Sequence, residues 1–298
     1  MHRSGTSLLG SLMPHLGVMM PGDLIAADQH NPEGYFERRD VVDLQENLLI
    51  ALDRFWAGSR GPEPLPRNWR SHPETQRTVH TLRKLLRREA GRQRLPWAIK
   101  DPRSALLLPL WRDLCRELAI PLQLVLAVRD PEAVVASVMA RDQPLAGMTW
   151  WRAQQLWWRF NVAVLRDCPV QGEKPTIVIH YERWFDEPLA QATDLAVALG
   201  LPQPSSDQLA AVQALIRPEH RHQHRLPSGA PTIDVRIRRL HHWLHSQTRL
   251  ARQRPRSYLP ITLSPGLTQG LVCASALVGR VRRVCAAIVS WLLSSPPH

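Results

Sequence analysis

The chain has 298 residues, 44% hydrophobic and 21% charged, with 11 Trp and 26 Pro, which supports a packed globular body and excludes a disordered or fibrous chain. The net charge of +12 is concentrated at one end: residues 217–298 hold 13 basic and 2 acidic side chains, against 25 and 24 in residues 1–216. A basic tail of this kind suits a membrane surface, nucleic acid or an acidic acceptor, and equally a solvated extension.

In chain order, the first 20 residues read as a turn and then a helix, with Leu8, Leu9, Leu12 and Leu16 at helical spacing. A loop carrying Asn31-Pro32-Glu33-Gly34 leads to a helix over about 39–56. Turn-rich sequence at 62–73 precedes a basic amphipathic helix to about residue 89. Trp97-Ala98-Ile99-Lys100 is a short apolar run stopped by Asp101-Pro102, which predicts a buried strand, followed by a helix over 103–118. Residues 122–128 are apolar apart from Gln123 and end at Arg129-Asp130-Pro131, the pattern of a parallel strand covered on both faces. Helices over 131–141 and 148–167, a strand over 176–180, and helices near 187–199 and 205–216 complete the series.

This alternation predicts an α/β fold in three layers, P-loop-like, with a central parallel sheet flanked by helices. The expected division is a catalytic domain at 1–216 and a basic, His/Arg/Pro-rich extension at 217–298. The extension carries an amphipathic helix near 271–293 whose apolar run is broken by Arg280, Arg282 and Arg283. A spanning helix needs about 20 uninterrupted apolar residues, so a surface-lying or protein-packed helix is expected. Cys115, Cys168, Cys273 and Cys285 show no paired spacing and read as reduced thiols of a cytoplasmic protein. The N-terminus enters a Gly/Ser/Thr turn directly, so no signal peptide is expected.

Two segments carry anion chemistry. In His2-Arg3-Ser4-Gly5-Thr6-Ser7, Gly5 permits close backbone approach, Ser4, Thr6 and Ser7 offer hydroxyls and amides at a helix start, and Arg3 adds a fixed charge. An ordinary capped helix start is the competing reading. In the second segment Arg129 closes a strand, and Ser137 lies eight residues on, on the following helix. Together they suit a phosphate held by charge-assisted hydrogen bonds. A phosphate-gripping turn sits between a strand and a helix, so the strand beneath residues 2–6 is expected to lie before Met1.

These segments resemble the PAPS-dependent sulfotransferases, in their bacterial and tyrosylprotein-type branches (PAPS is 3′-phosphoadenosine 5′-phosphosulfate). The Arg3-Ser4-Gly5-Thr6 turn resembles the family's 5′-phosphosulfate loop, and Arg129 with Ser137 its 3′-phosphate site. Asn31-Pro32-Glu33-Gly34-Tyr35-Phe36-Glu37 is similar to the acceptor-side loop, Lys100-Asp101-Pro102-Arg103 to the Lys-Asp-Pro element, and His180-Tyr181-Glu182-Arg183-Trp184 to a Tyr-Glu element. The resemblance runs from residue 2 to about 200, with the motifs in the family's order.

The resemblance implies that Arg3, Ser4, Gly5, Thr6 and Ser7 hold the phosphosulfate, Arg129 and Ser137 the 3′-phosphate, and Tyr181 the adenine. It implies an in-line displacement through a loose transition state, in which Lys100 and Arg3 stabilise charge and Glu37 takes the acceptor proton. Glu33 and His30 are alternative bases. The partners expected are the nucleotide donor and a hydroxyl acceptor (carbohydrate, lipid, small alcohol or tyrosine), with peripheral membrane or anionic-surface contact through the tail. No specific nucleic acid and no metal are expected. His220, His222 and His224, and the His241/His245 pair, lack a carboxylate or Cys at ligand spacing. Arg221 or Arg225 would close over the nucleotide. Trp150, Trp151, Trp157 and Trp158 read as core packing before an acceptor wall. A P-loop-type nucleotide kinase and a catalytically inactive sulfotransferase-like binding protein are the competing functions.

Overall fold

The computed structural model describes residues 1–250 other than 30, 59–60, 93–94, 168–173, 218 and 220–228. The expectations for His30, Cys168, Cys273, Cys285, His220, His222, His224, Arg221, Arg225 and the helix at 271–293 fall outside those residues.

Gly5, in the left-handed region at φ 77°, turns the chain into helix α1 (Thr6–Leu12), which a 3-10 turn at Met13–Leu16 extends. Helices α2 (Arg39–Ala51), α3 (Pro73–Arg92) and α4 (Leu108–Glu117) follow, each burying an apolar stripe at helical spacing. Strand β1 (Val125–Val128) leads into α5 (Pro131–Ala146), started by Pro131 and by the Asp130 carboxylate, which accepts the Ala133 N–H at 3.0 Å. Helix α6 (Trp150–Arg166), capped by Thr149, returns the chain to β2 (Thr176–His180). Helices α7 (Arg183–Asp186), α8 (Pro188–Leu199) and α9 (Ser206–Leu215) precede α10 (Val235–His245) and the two-residue β3 (Arg249–Leu250).

The structure is mixed α/β and mostly helical, with a small mixed sheet. Among the described residues it has three strands in the order β1-β2-β3, with β1 parallel to β2 and β3 antiparallel to β2. The apolar run at 97–100 forms no strand. It makes one parallel bridge, in which Met19 donates to the Pro96 carbonyl and accepts from the Ala98 N–H, both at 2.8 Å. The next rung needs an N–H from residue 21, and that residue is Pro21. Strand β1 likewise starts at Val125 rather than at 122, because Pro175 stands opposite Gln123 and offers no N–H. Gln123 instead donates its side-chain amide to the Pro175 carbonyl at 2.7 Å.

Alternate side chains of the parallel pair enter two different cores. Leu126, Val128 and Val178 join a large cluster with α2 to α6, while Ala127, Ile177 and Ile179 pack with Leu9, Leu12, Leu16, Leu195 and Val212. Ile233, Ile237, Leu240, Leu244 and Leu250 also belong to the large cluster, so the chain from 233 to 250 packs on the body. Among the described residues no helix is long and apolar enough to cross a membrane.

Candidate functional site

The C-terminal ends of β1 and β2, the start of α1 and the loop before α2 meet at one place. Arg129 follows β1 and is buried, and Tyr181 follows β2, its N–H bonded to the Val128 carbonyl at 2.9 Å. The Arg129 guanidinium lies over the Tyr181 ring, 4.2 Å from its centre. The same ring packs against Gly5, where an added Cβ would lie 2.2 Å from Tyr181 Cδ2. Glycine is thus required at residue 5 both by the left-handed φ and by this contact.

The two expected anion sites are directly bonded. Arg3 Nε donates to Ser137 Oγ at 2.7 Å, and the Arg3 carbonyl accepts from Arg129 Nη1 at 3.0 Å. The Arg3 side chain, expected to act with Gly5 to Ser7, therefore reaches Ser137, while Gly5 to Ser7 stay at the start of α1. Ser4 is buried beneath this turn and Thr6 begins the helix, half-buried. Arg3 itself has φ 63°, a left-handed conformation that costs a residue with a side chain about 1–2 kcal/mol. Burial, and then the charges of Arg141 and Arg129, lower the Arg3 pKa, and burial lowers that of Arg129. Guanidinium groups remain protonated under such shifts, so Arg3, Arg129 and Arg141 bring positive charge together here, with Asp142 acting on Arg3 and Glu182 and Asp130 on Arg129.

On the other side Ser7 Oγ accepts from Asn31 Nδ2 at 3.1 Å and from Lys100 Nζ at 3.3 Å. Lys100 also donates to the Tyr35 carbonyl and to Glu37 Oε1, both at 2.7 Å. Burial lowers the Lys100 pKa, partly offset by Glu37. Glu37 Oε2 accepts from Arg103 Nη1 at 3.3 Å, and Arg103 is further held by Asp101 and Glu46. Phe36, just before Glu37, has φ 55° and packs on Gly10, which turns the carboxylate back toward Lys100. Glu33 stands apart: it is 53% exposed and 3.8 Å from Arg217. The Tyr35 hydroxyl donates to Asp28, and burial together with that bond raises its pKa to about 12.

Two supporting residues, Arg141 and Gln45, escape sequence reasoning, and a third, Trp157, is expected only as core. Arg141 lies one helical turn after Ser137, its Nε and Nη2 donating to Asp142 at 2.6 and 2.8 Å, and it acts electrostatically on Arg3 and Tyr35. Its signal was the i, i+4 spacing from Ser137. Gln45 donates to Asp101 at 2.7 Å and accepts from Trp111 Nε1 at 2.9 Å, fixing the Lys-Asp-Pro segment from α2. Trp157 Nε1 donates to the Arg129 carbonyl at 3.2 Å, and the ring is fully buried, in keeping with the core reading of the tryptophan stripe.

Comparison with known proteins returns no match, whether to a family model, a curated protein or a solved structure. Among the described residues no group of three or more His, Cys, Asp or Glu side chains is arranged to hold a metal ion.

Proposed function

We propose that this chain is a sulfotransferase that moves a sulfuryl group from PAPS to an acceptor hydroxyl, on a P-loop-like body whose parallel pair carries helices on two faces. The observation that carries the reading is Lys100: one ammonium joins the anion cradle, through Ser7, to a buried carboxylate, Glu37, on the acceptor-side loop. A transfer site needs a donor-binding turn, a proton acceptor and a cation between them.

In this reading the phosphosulfate lies on the amides of Gly5 to Ser7, and the 3′-phosphate lies between Arg129, Ser137 and Arg3. The Ser7 contact is the longest of the three that Lys100 makes. A bridging oxygen of the donor replaces it, and Lys100 then neutralises charge on the departing phosphate. Glu37 receives the acceptor proton as the oxygen–sulfur bond forms and the sulfur–oxygen bond to the phosphate breaks. Glu37 is preferred to Glu33 because it is buried beside Lys100, whereas Glu33 faces solvent.

The test is titration with 3′-phosphoadenosine 5′-phosphate, with adenosine 5′-phosphate and with ATP plus Mg²⁺. We expect the bisphosphate to bind at least about tenfold more tightly than the monophosphate, the equivalent of one charge-assisted contact. Equal affinity for the two, or preference for ATP with Mg²⁺, contradicts the assignment.

A further inference from the structure

His180 ends β2, directly before Tyr181. Its Nε2 lies 2.9 Å from the Gln247 carbonyl, which can only accept, so the proton of the neutral ring is on Nε2. Nδ1 is therefore a buried lone pair, and it has no hydrogen-bond partner among the described residues. The main chain of His180 is fixed by Gln191, which accepts from its N–H at 3.3 Å and donates to its carbonyl at 3.1 Å. Two histidines of α10 complete a cluster. The His245 ring centre lies 4.9 Å from that of His180, and the His241 ring centre 5.8 Å from that of His245. His241 Nε2 is a second buried ring nitrogen with no hydrogen-bond partner among the described residues.

Both arms of the cluster lead to Arg129. His180 is joined covalently to Tyr181, on which Arg129 rests, and His241 meets the edge of Trp157, whose Nε1 holds the Arg129 carbonyl. We propose that the His180, His241 and His245 rings form a latch that seats α10 and β3 on the end of the sheet and positions Arg129. Proton uptake by His180 or His241 releases the latch.

Among the described residues, the charged groups that act most strongly on His180 and His241 are the carboxylates of Asp130 and Glu182 and the guanidinium of Arg183. Asp130 is engaged with the Ala133 N–H, Glu182 with the Asp130 N–H, and Arg183 with Glu187 and Asp194. Burial outweighs the two carboxylates and lowers the pKa of both His180 and His241 below the ordinary 6.5. The sign follows. Folded-state values below the unfolded one give stability that is complete above pH 6.5 and lost as pH falls through the folded values. A protonated His180 would bury an Nδ1–H donor that meets no acceptor among the described residues.

The latch does not depend on the sulfotransferase reading, whereas its effect on a nucleotide does. The test is amide hydrogen exchange of the full chain at pH 7.5 and 5.5, corrected for intrinsic rates, with α2 as internal reference. We expect protection across 235–250 to fall about tenfold or more at pH 5.5. The His180→Asn/His241→Asn double variant is expected to show no such dependence. If that variant does not fold, His245→Gln, an exposed position, must weaken the loss at least about threefold. Unchanged protection in the wild type, or an equal loss in the variants, overturns the latch.

A second arm follows 3′-phosphoadenosine 5′-phosphate affinity over the same range. The phosphate's own ionisation near 6 affects wild type and variant alike, so the latch is read as the difference between profiles. The wild type is expected to lose about tenfold more affinity than the variant. Parallel profiles overturn the link to Arg129, and absence of binding at every pH overturns the nucleotide reading while the exchange arm alone decides the latch.

Discussion

Lys100 uses its ammonium on a hydroxyl, a carbonyl and a carboxylate at once, and only the hydroxyl belongs to the anion cradle. Replacing it by Met is expected to lower turnover about 10²–10³-fold, the usual loss when one electrostatic group at a reacting oxygen is removed. Affinity for the desulfated nucleotide should change far less, which separates this residue from Arg129. Glu37→Gln keeps the shape of the loop and is expected to lower turnover about 10²–10⁴-fold, read as sulfuryl transfer from PAPS by the folded variant, with a lower melting temperature because Lys100 and Arg103 lose a charged partner. At Gly5 the expected outcome is structural. Gly5→Ala meets the Tyr181 ring and a left-handed φ together, and a loss of about 1–3 kcal/mol in denaturant unfolding should accompany loss of nucleotide binding. Arg3, Gly5, Arg129 and Tyr181 stand at a turn or a strand end, where sequence marks position, and Lys100 precedes the Asp101-Pro102 stop. Gln45 and Arg141 carry no such mark. Gln45 meets Asp101 across 56 residues, and a contact of that span leaves no local pattern.

At the scale of elements, the helices and the strand at 176–180 followed from periodicity, while the sheet did not. Apolar runs at 97–100 and 122–124 have the composition of strands, but pairing depends on the opposite chain, and Pro21 and Pro175 remove the N–H groups that would continue it. Helix α10 shows the reverse error of emphasis. Its Arg and His content groups it with the basic tail, yet Ile237, Leu240 and Leu244 form a stripe at helical spacing that lies in the large core. Leu240→Ala is therefore expected to cost about 2–5 kcal/mol of stability in urea unfolding, as for a fully packed leucine. A cost below about 0.5 kcal/mol, typical of a surface substitution, would show that α10 is not part of the body.

For the molecule as a whole, the parallel pair β1–β2 places the ends of two strands, the start of α1 and the loop before α2 around one positive site. Three guanidinium groups and one ammonium lie there, from parts of the sequence more than 120 residues apart; Lys100 is bonded to Glu37, Arg141 to Asp142, and Asp130 and Glu182 act on Arg129. Such a gathering of cations suits an anion. Titration with 3′-phosphoadenosine 5′-phosphate, comparing wild type with Arg129→Ala, tests this account most directly. Saturable binding by the wild type is predicted, weakened at least about tenfold by the substitution, in line with loss of one charged hydrogen-bonding group. No binding by a folded wild-type chain, or equal binding by the two proteins, would contradict it.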